Sequence, residues 1–318
     1  MNCSSRIRSL AVPILGLAAM FIWQKPAHAS DEFTPETARA AAAKGDARAE
    51  YFLARYYADT QSDSPDHAKA VEFMRDSAGQ GYAPAEAGLG SFYAHGTGVK
   101  QDMSRAIQWY RKAAAQGNAL AEYCLGYACA HGEGVPKNVD EALAWWQQAA
   151  EQGQVYAQNA LGQFYFSGDN ANDTNHINYA LAAKWLLKAA EQDYVPAMNN
   201  LGYLYQNGLG VPKDWPEAFK WYRRAARRGD AMAQANLGMM YESGDGVPVD
   251  KVEAYKWFSL SAEQNNVEGR HSYGMYNMYH YLTPEQFAEA RQRVADFHLW
   301  GLTNQPASGT KRETQSAP

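Results

Sequence analysis

Small and large apolar residues recur along most of this chain with a helical period. Ala121, Leu125 and Cys129 fall at i, i+4 and i+8, and Ala142, Trp145, Ala149 and Ala150 form a second stripe further on. Such spacing places apolar side chains on one face of an α-helix. Between the stripes stands Gly132 to Pro136, with Gly208 to Pro212 and Gly244 to Pro248 alike in pattern. Glycine takes a left-handed cap and proline cannot continue a helix, so each segment marks a stop. A few residues on, Asp or a neighbouring polar residue opens the next helix, as at Asp102, Asp140, Asp214 and Asp250. The predicted unit is an antiparallel helix pair.

The unit repeats. Ala-x-x-x-Leu-Gly-x-x-Tyr recurs with its leucine at Leu53, Leu89, Leu125, Leu161, Leu201 and Leu237, followed in register by Tyr273, at spacings of 36 residues with a single 40 after Leu161. A second string, Ala-x-x-Trp-x-x-x-Ala-Ala-x-x-Gly, follows: Ala106, Trp109, Ala113, Ala114 and Gly117, then the same set around Trp145, Trp185, Trp221 and Trp257. Seven units are predicted over 46–282. Ala121 and Gly126 allow close helix approach, while Leu125 and Trp145 are expected to fill the space between pairs. Ordering costs about 1.5 kcal/mol per residue and a large buried side chain returns only about 1.5–3 kcal/mol, so one pair cannot stand alone. Stacked copies share their apolar faces. The ends deviate as caps should: 30–45 predicts an amino-terminal capping helix, 283–300 an amphipathic closing helix with Phe287, Val294, Phe297 and Trp300, and 301–318 a polar, disordered tail.

Composition narrows the class. A chain of 318 residues ordinarily makes two domains, but a repeat array grows in one dimension instead. Three cysteines exclude a disulfide scaffold, 20% charged with 13% aromatic residues excludes disorder, and a net charge of −5 gives no basic field for nucleic acid. At the amino terminus Arg6 and Arg8 precede an apolar run from Ser9 to Trp23 and the small-x-small site Ala27-His28-Ala29. That order predicts a cleavable secretory signal over 1–29, whose apolar core of about 15 residues is short of the roughly 20 that span a bilayer. Cleavage removes Arg6, Arg8 and Lys25, taking the net charge to −8 and leaving Cys124 and Cys129 as the remaining cysteines.

The joint recurrence of loop, Leu-Gly, Tyr, Trp and Ala-Ala positions resembles the Sel-one-like repeat family, relatives of tetratricopeptide repeats. The resemblance extends to Leu282-Thr283-Pro284-Glu285-Gln286, which is similar to the helix that often closes such arrays. It implies an all-α, right-handed alpha/alpha superhelical solenoid whose first helices make a concave face that holds proteins or peptides. Secreted bacterial members are similar to adaptors, inhibitors and regulators of envelope enzymes, including immunity proteins that neutralise secreted toxins. A disulfide-rich branch is linked to penicillin binding and lactam hydrolysis, and this chain departs from it in lacking a cysteine pair in every repeat. Placed as in tetratricopeptide repeats, the concave face falls two before and two, five and six after each leucine. It comprises Tyr51 and Arg55; Ser91 and His95; Tyr123, Tyr127 and His131; Asn159 and Gln163; Asn199, Tyr203 and Asn207; Met239 and Glu242; and His271 and Met275. Tyrosine supplies rigid area and Asn or Gln pairs with backbone, a mixture suited to protein recognition.

Other chemistry is weaker. Cys124, Cys129, His95 and His131 suggest a zinc cluster, but both cysteines stand at core positions and both histidines end helices, where imidazole complements the helix dipole. Helix geometry also holds Cys124 and Cys129 too far apart for a disulfide. The Gly-x-Gly loops follow helices and lack the Lys-Ser/Thr of a phosphate loop. The oxygen-rich insertion Asp169 to Asn175 lacks the glycine turn and terminal glutamate of a calcium loop, leaving a recognition or solvated loop. Arg223, Arg224, Arg227 and Arg228 make a basic patch on an outer helix, solvated or set against an anionic partner. No nucleophile, base and orienting acid stand at a catalytic spacing. The sequence therefore predicts a periplasmic or secreted scaffold that clamps an envelope protein as inhibitor, immunity protein or regulator. It calls for no cofactor, metal or nucleic acid, and no integral membrane segment once the signal is cleaved. The alternatives are a cell-wall-active lactam or peptidoglycan hydrolase and a peptidoglycan-binding module.

Overall fold

A computed structural model describes residues 33–59, 65–169, 176–264 and 281–304. The predicted signal over 1–29, most of the insertion after Asp169, the expected seventh first helix with His271 and Met275, and the tail beyond residue 304 lie outside the described residues. Among those described, the chain forms fourteen α-helices and no strand, and it is an all-α repeat solenoid. It divides into two units, one ending at Ile177 and the other beginning at Asn178.

In the first unit α1 (Pro35–Ala42) precedes the pairs α2 (Ala47–Ala58) with α3 (His67–Gly79), α4 (Ala83–His95) with α5 (Met103–Ala114) and α6 (Ala119–His131) with α7 (Val139–Glu151), and α8 (Val155–Ser167) ends it. In the second, α9 (Tyr179–Glu191) precedes the pairs α10 (Val195–Asn207) with α11 (Trp215–Arg227) and α12 (Ala231–Ser243) with α13 (Lys251–Glu263), and α14 (Pro284–Asn304) closes it. No helix among the described residues is long and apolar enough to cross a membrane.

Second helices start where an Asp or Asn side chain accepts an amide of the first turn. Asp102, Asn138, Asn178, Asp214 and Asp250 do this. In the third repeat the cap is the neighbouring polar residue, Asn138, and Asp140 lies inside the first turn, where a carboxylate complements the helix dipole. First helices end on left-handed Gly96, Gly132, Gly208 and Gly244. The second glycine of each loop does a different job. A Cβ on Gly210, whose φ is +70°, would lie 2.2 Å from the Tyr179 carbonyl carbon, so only glycine lets this loop rest on the start of α9.

Within a pair, the glycine of Leu-Gly makes a flat seat. A Cβ on Gly126 would stand 2.4 Å from Trp146 Cδ1, and Gly90, Gly202 and Gly238 receive Tyr110, Tyr222 and Phe258 at 2.7–2.8 Å. The ring that fills the pair is thus the residue after the repeated tryptophan, while the repeated tryptophans Trp185, Trp221 and Trp257 are themselves buried. One residue is about 100° of helix, so Trp146 faces α6 while Trp145 turns outward and remains half-buried. The repeated tryptophans instead carry cations: Lys112 lies 4.1 Å from the Trp109 ring centre, Lys188 4.8 Å from Trp185 and Lys256 4.3 Å from Trp257.

Both ends are capped. Thr34 and Thr37 exchange side-chain and backbone bonds at the start of α1, which packs Ala38 against Ala49 and Leu53. Thr283 and Gln286 do the same for α14. Phe287 meets Tyr255 edge-on, and Arg293 reaches Asp250 at 3.2 Å, Glu253 at 2.9 Å and Glu289 at 2.7 Å. The helix continues to Asn304, past the boundary expected at 300.

Gly229 provides a control for Gly210. It has a φ of +88° with nothing within 4 Å of a Cβ. In urea unfolding of the full chain, Gly229→Ala is expected to cost about 1 kcal/mol from backbone conformation alone. Gly210→Ala should exceed about 3 kcal/mol because Tyr179 must also move. Equal costs would refute the close-approach role.

Candidate functional site

The residues two before each leucine are tied to the next repeat. Tyr51 meets Tyr82 edge-on at 5.6 Å, Tyr123 packs on Tyr156 at 5.9 Å, and Asn199 accepts a hydrogen bond from Asn236 at 3.1 Å. Tyr123, Asn159 and Asn199 are consequently buried and Tyr51 is half-buried. Asn159 Oδ1 is buried with no hydrogen-bond partner among the described residues. This position spends most of its side chain joining neighbouring first helices.

The residues six after the leucine close their own helices. His95 Nδ1 lies 2.7 Å from the Ser91 carbonyl and His131 Nδ1 2.9 Å from that of Tyr127. Asn207 donates to the Tyr203 carbonyl at 2.8 Å, and Ser167 and Ser243 bond the Gln163 and Met239 carbonyls in the same way. Three residue types thus supply a second, side-chain donor to a carbonyl in the last turn of the helix.

Two after the leucine the picture divides. Ser91 is buried, and Tyr127 is buried under His131, which stacks on it at 4.0 Å and 19°. Arg55, Gln163, Tyr203 and Met239 remain half-exposed, as does Glu242 five after its leucine. Burial raises the Glu242 carboxyl above its ordinary value, against the pull of Lys251. The accessible part of the predicted face lies toward the carboxy-terminal ends of the first helices, with Arg55, His131 and Gln163 in the first unit and Tyr203, Asn207, Met239 and Glu242 in the second.

The cysteines of the imagined metal cluster are free and buried. Burial pushes the Cys124 thiol up to about 12, beside the Tyr110 hydroxyl. Among the described residues, no three His, Cys, Asp or Glu side chains are gathered as for a metal ion. In the basic patch, Arg224 and Arg228 both bind Asp193. Asp193, with φ 65°, stands where other repeats carry a left-handed glycine such as Gly153 or Gly229.

The Sel1 repeat pattern matches six consecutive segments: 47–82, 83–118, 119–154, 155–194, 195–230 and 231–266. The chain belongs to the Sel1 repeat family. Among solved structures it is similar to a protective antigen present in uropathogenic Escherichia coli strains and displaying an SLR fold. They share 34% identity and a TM-score of 0.69 over 89% of this chain, which spans 62% of that longer chain. It is also similar to a Sel1 repeat protein from Oxalobacter formigenes, at 30% identity and a TM-score of 0.63, covering 73% of this chain and 100% of that one. A comparison with curated proteins gives no match. Sel1 repeats mediate protein binding, and the family is generally non-enzymatic, so this chain is a protein-interaction scaffold.

One set of Sel1 repeat positions escaped the sequence reading. Three before the leucine stand Glu50, Glu86 and Glu122, all buried, each accepting from a glutamine thirty residues on, Gln80, Gln116 and Gln152, at 2.7 Å. The signal was present as a recurring Glu and Gln at fixed offset. It was overlooked because each residue, taken alone, looks like solvated helix. The fourth and sixth repeats use Gln158 and Gln234 instead, whose Nε2 atoms donate to the Ala150 and Ala226 carbonyls.

Burial raises the Glu122 carboxyl above its ordinary 4.5, outweighing the Gln152 hydrogen bond. A raised carboxyl favours the fold while protonated, below the unfolded value, and that contribution is lost as pH rises through the folded value. Glu122→Gln is uncharged and can donate to the Ala114 carbonyl as Gln158 does to Ala150. It should therefore melt above the parent at pH 7, with the difference shrinking toward pH 4, by differential scanning calorimetry. A variant that melts lower at pH 7 would show that the charged form is the favoured one.

Proposed function

We propose that this Sel1 repeat protein acts in the bacterial envelope or outside the cell, holding a partner protein against the carboxy-terminal ends of its first helices. The inhibitor, immunity or regulatory role follows from what it holds. The observation that carries this reading is the division of labour on that face. Positions two before and six after the leucine are mostly engaged in contacts between repeats or within their own helices, while Arg55, Gln163, Tyr203 and Met239, two after it, and Glu242, five after it, stay half-exposed and differ chemically from repeat to repeat. Structural need would make such positions alike, as it does at Leu53, Leu89 and Leu125. Tyrosine and methionine with a few polar neighbours are what well-desolvated contact centres use. The arginine-flanked apolar run and Ala27-His28-Ala29 support export.

The test is affinity capture from a periplasmic extract with the mature chain, followed by titration of the purified partner. Tyr203→Ala, Met239→Ala and Gln163→Ala are compared with Lys44→Ala. Tyr203→Ala should weaken binding about five- to tenfold, the usual loss for an anchoring aromatic. Undiminished affinity in all three folded variants would move the partner to another face.

A further inference from the structure

The residue four after each leucine is a tyrosine in every described repeat except the third, which has Cys129, and its surroundings change along the chain. In the second repeat, Arg75 of α3 donates from Nη2 to the Tyr93 hydroxyl at 3.2 Å, and the guanidinium of Arg105 of α5 lies 5.6 Å from the centre of the same ring. The ring of Tyr93 is buried while both arginines are exposed. Asp102 pairs with Arg105 through Nε at 3.3 Å, on the edge of the guanidinium away from its terminal nitrogens. The phenol oxygen is thus already an acceptor. Its own proton is directed elsewhere, and the described residues supply it with donors and no acceptor.

Other repeats serve as internal controls. At the position of Arg105, the third, fifth and sixth repeats carry Glu141, Glu217 and Glu253, which face Cys129, Tyr205 and Tyr241. There an acid balances the groove. The first two repeats reverse that charge: Lys69, paired with Asp66 at 3.0 Å, lies 5.3 Å from the Tyr57 ring centre, and Arg39 reaches the Tyr57 hydroxyl. Two cations converging on one phenol repel each other unless an anion stands between them.

We propose that Arg75, Arg105 and the Tyr93 hydroxyl form a binding site for an oxyanion, a phosphate or carboxylate group, with Arg39, Lys69 and Tyr57 forming a second copy one repeat earlier. Two guanidinium forks supply charge-assisted donors, and the phenol supplies a neutral one at the floor. Consistent with this field, the Arg75 hydrogen bond holds the Tyr93 phenol below its ordinary ionisation value, even against burial. The site uses none of the residues of the partner-binding face, so the two readings stand or fall separately.

The experiment follows tyrosine ionisation by ultraviolet absorbance in the mature chain and in Tyr93→Phe, whose difference isolates Tyr93. Inorganic phosphate is compared with chloride at matched ionic strength, and an end-blocked hexaglutamate peptide is titrated separately. A bound anion disfavours the phenolate, so the Tyr93 midpoint should rise by about half a unit or more. The rise should vanish in Arg75→Gln and Arg105→Gln and persist in part in Arg105→Lys, which keeps the charge should the glutamine variants unfold. A response to phosphate identifies a free ion as ligand. A response to the peptide alone identifies a partner's carboxylate. No response to either, or a response unchanged in the folded arginine variants, would overturn the site.

Discussion

Four of the five described helix pairs depend on a glycine that leaves room for a ring, because Gly90, Gly126, Gly202 and Gly238 set how closely their two helices approach and which residue faces inward. With a methyl group at any of these positions, Tyr110, Trp146, Tyr222 or Phe258 would have to withdraw. The buried leucine before each glycine would then lose the wall it packs against. A ring seated on bare backbone gives dense contact over a small area. That density matters in a fold where each pair is too small to be stable and must share surface with neighbours.

Once the pair is closed, most remaining side chains of the first helix are committed. Tyr123 and Asn199 face sideways to the next repeat, His131 and Asn207 fold back on their own carbonyls, and Glu50, Glu86 and Glu122 reach the ends of their second helices. What remains is a short list of positions, and this explains how a scaffold so regular can still be particular about what it holds. Variation is confined to sites where it costs the fold little.

Period, pair architecture and loop stops were legible in the sequence because each is written in residue types with few alternative uses: glycine for left-handed caps, proline for stops, Asp or Asn for starts. Which ring fills the inside of each pair was not legible, for a geometric reason. Two adjacent aromatics both fit the helical stripe, and only the seat at Gly126 decides between them. The predicted face was read from register alone, which cannot show that Tyr127 lies beneath His131 or that Tyr123 leans on Tyr156. Such facts depend on pairs of side chains in different turns or repeats. The buried glutamates were hidden for the opposite reason, since a charged residue on a helix is usually solvated and only its paired glutamine thirty residues away reveals otherwise.

A stack whose units bury their faces against identical neighbours has no internal reason to stop, and a last unit left open would accept the first unit of another molecule as readily as its own successor. The closing helix deals with this in two ways. Phe287 and Phe297 cover Tyr255 and Trp257, while Arg293 draws Asp250, Glu253 and Glu289 into one ionic clasp. Because Asp250 is also the cap that starts α13, the clasp is fastened at the helix's first turn. The apolar face of α13 that a further repeat would need is thus already occupied by α14.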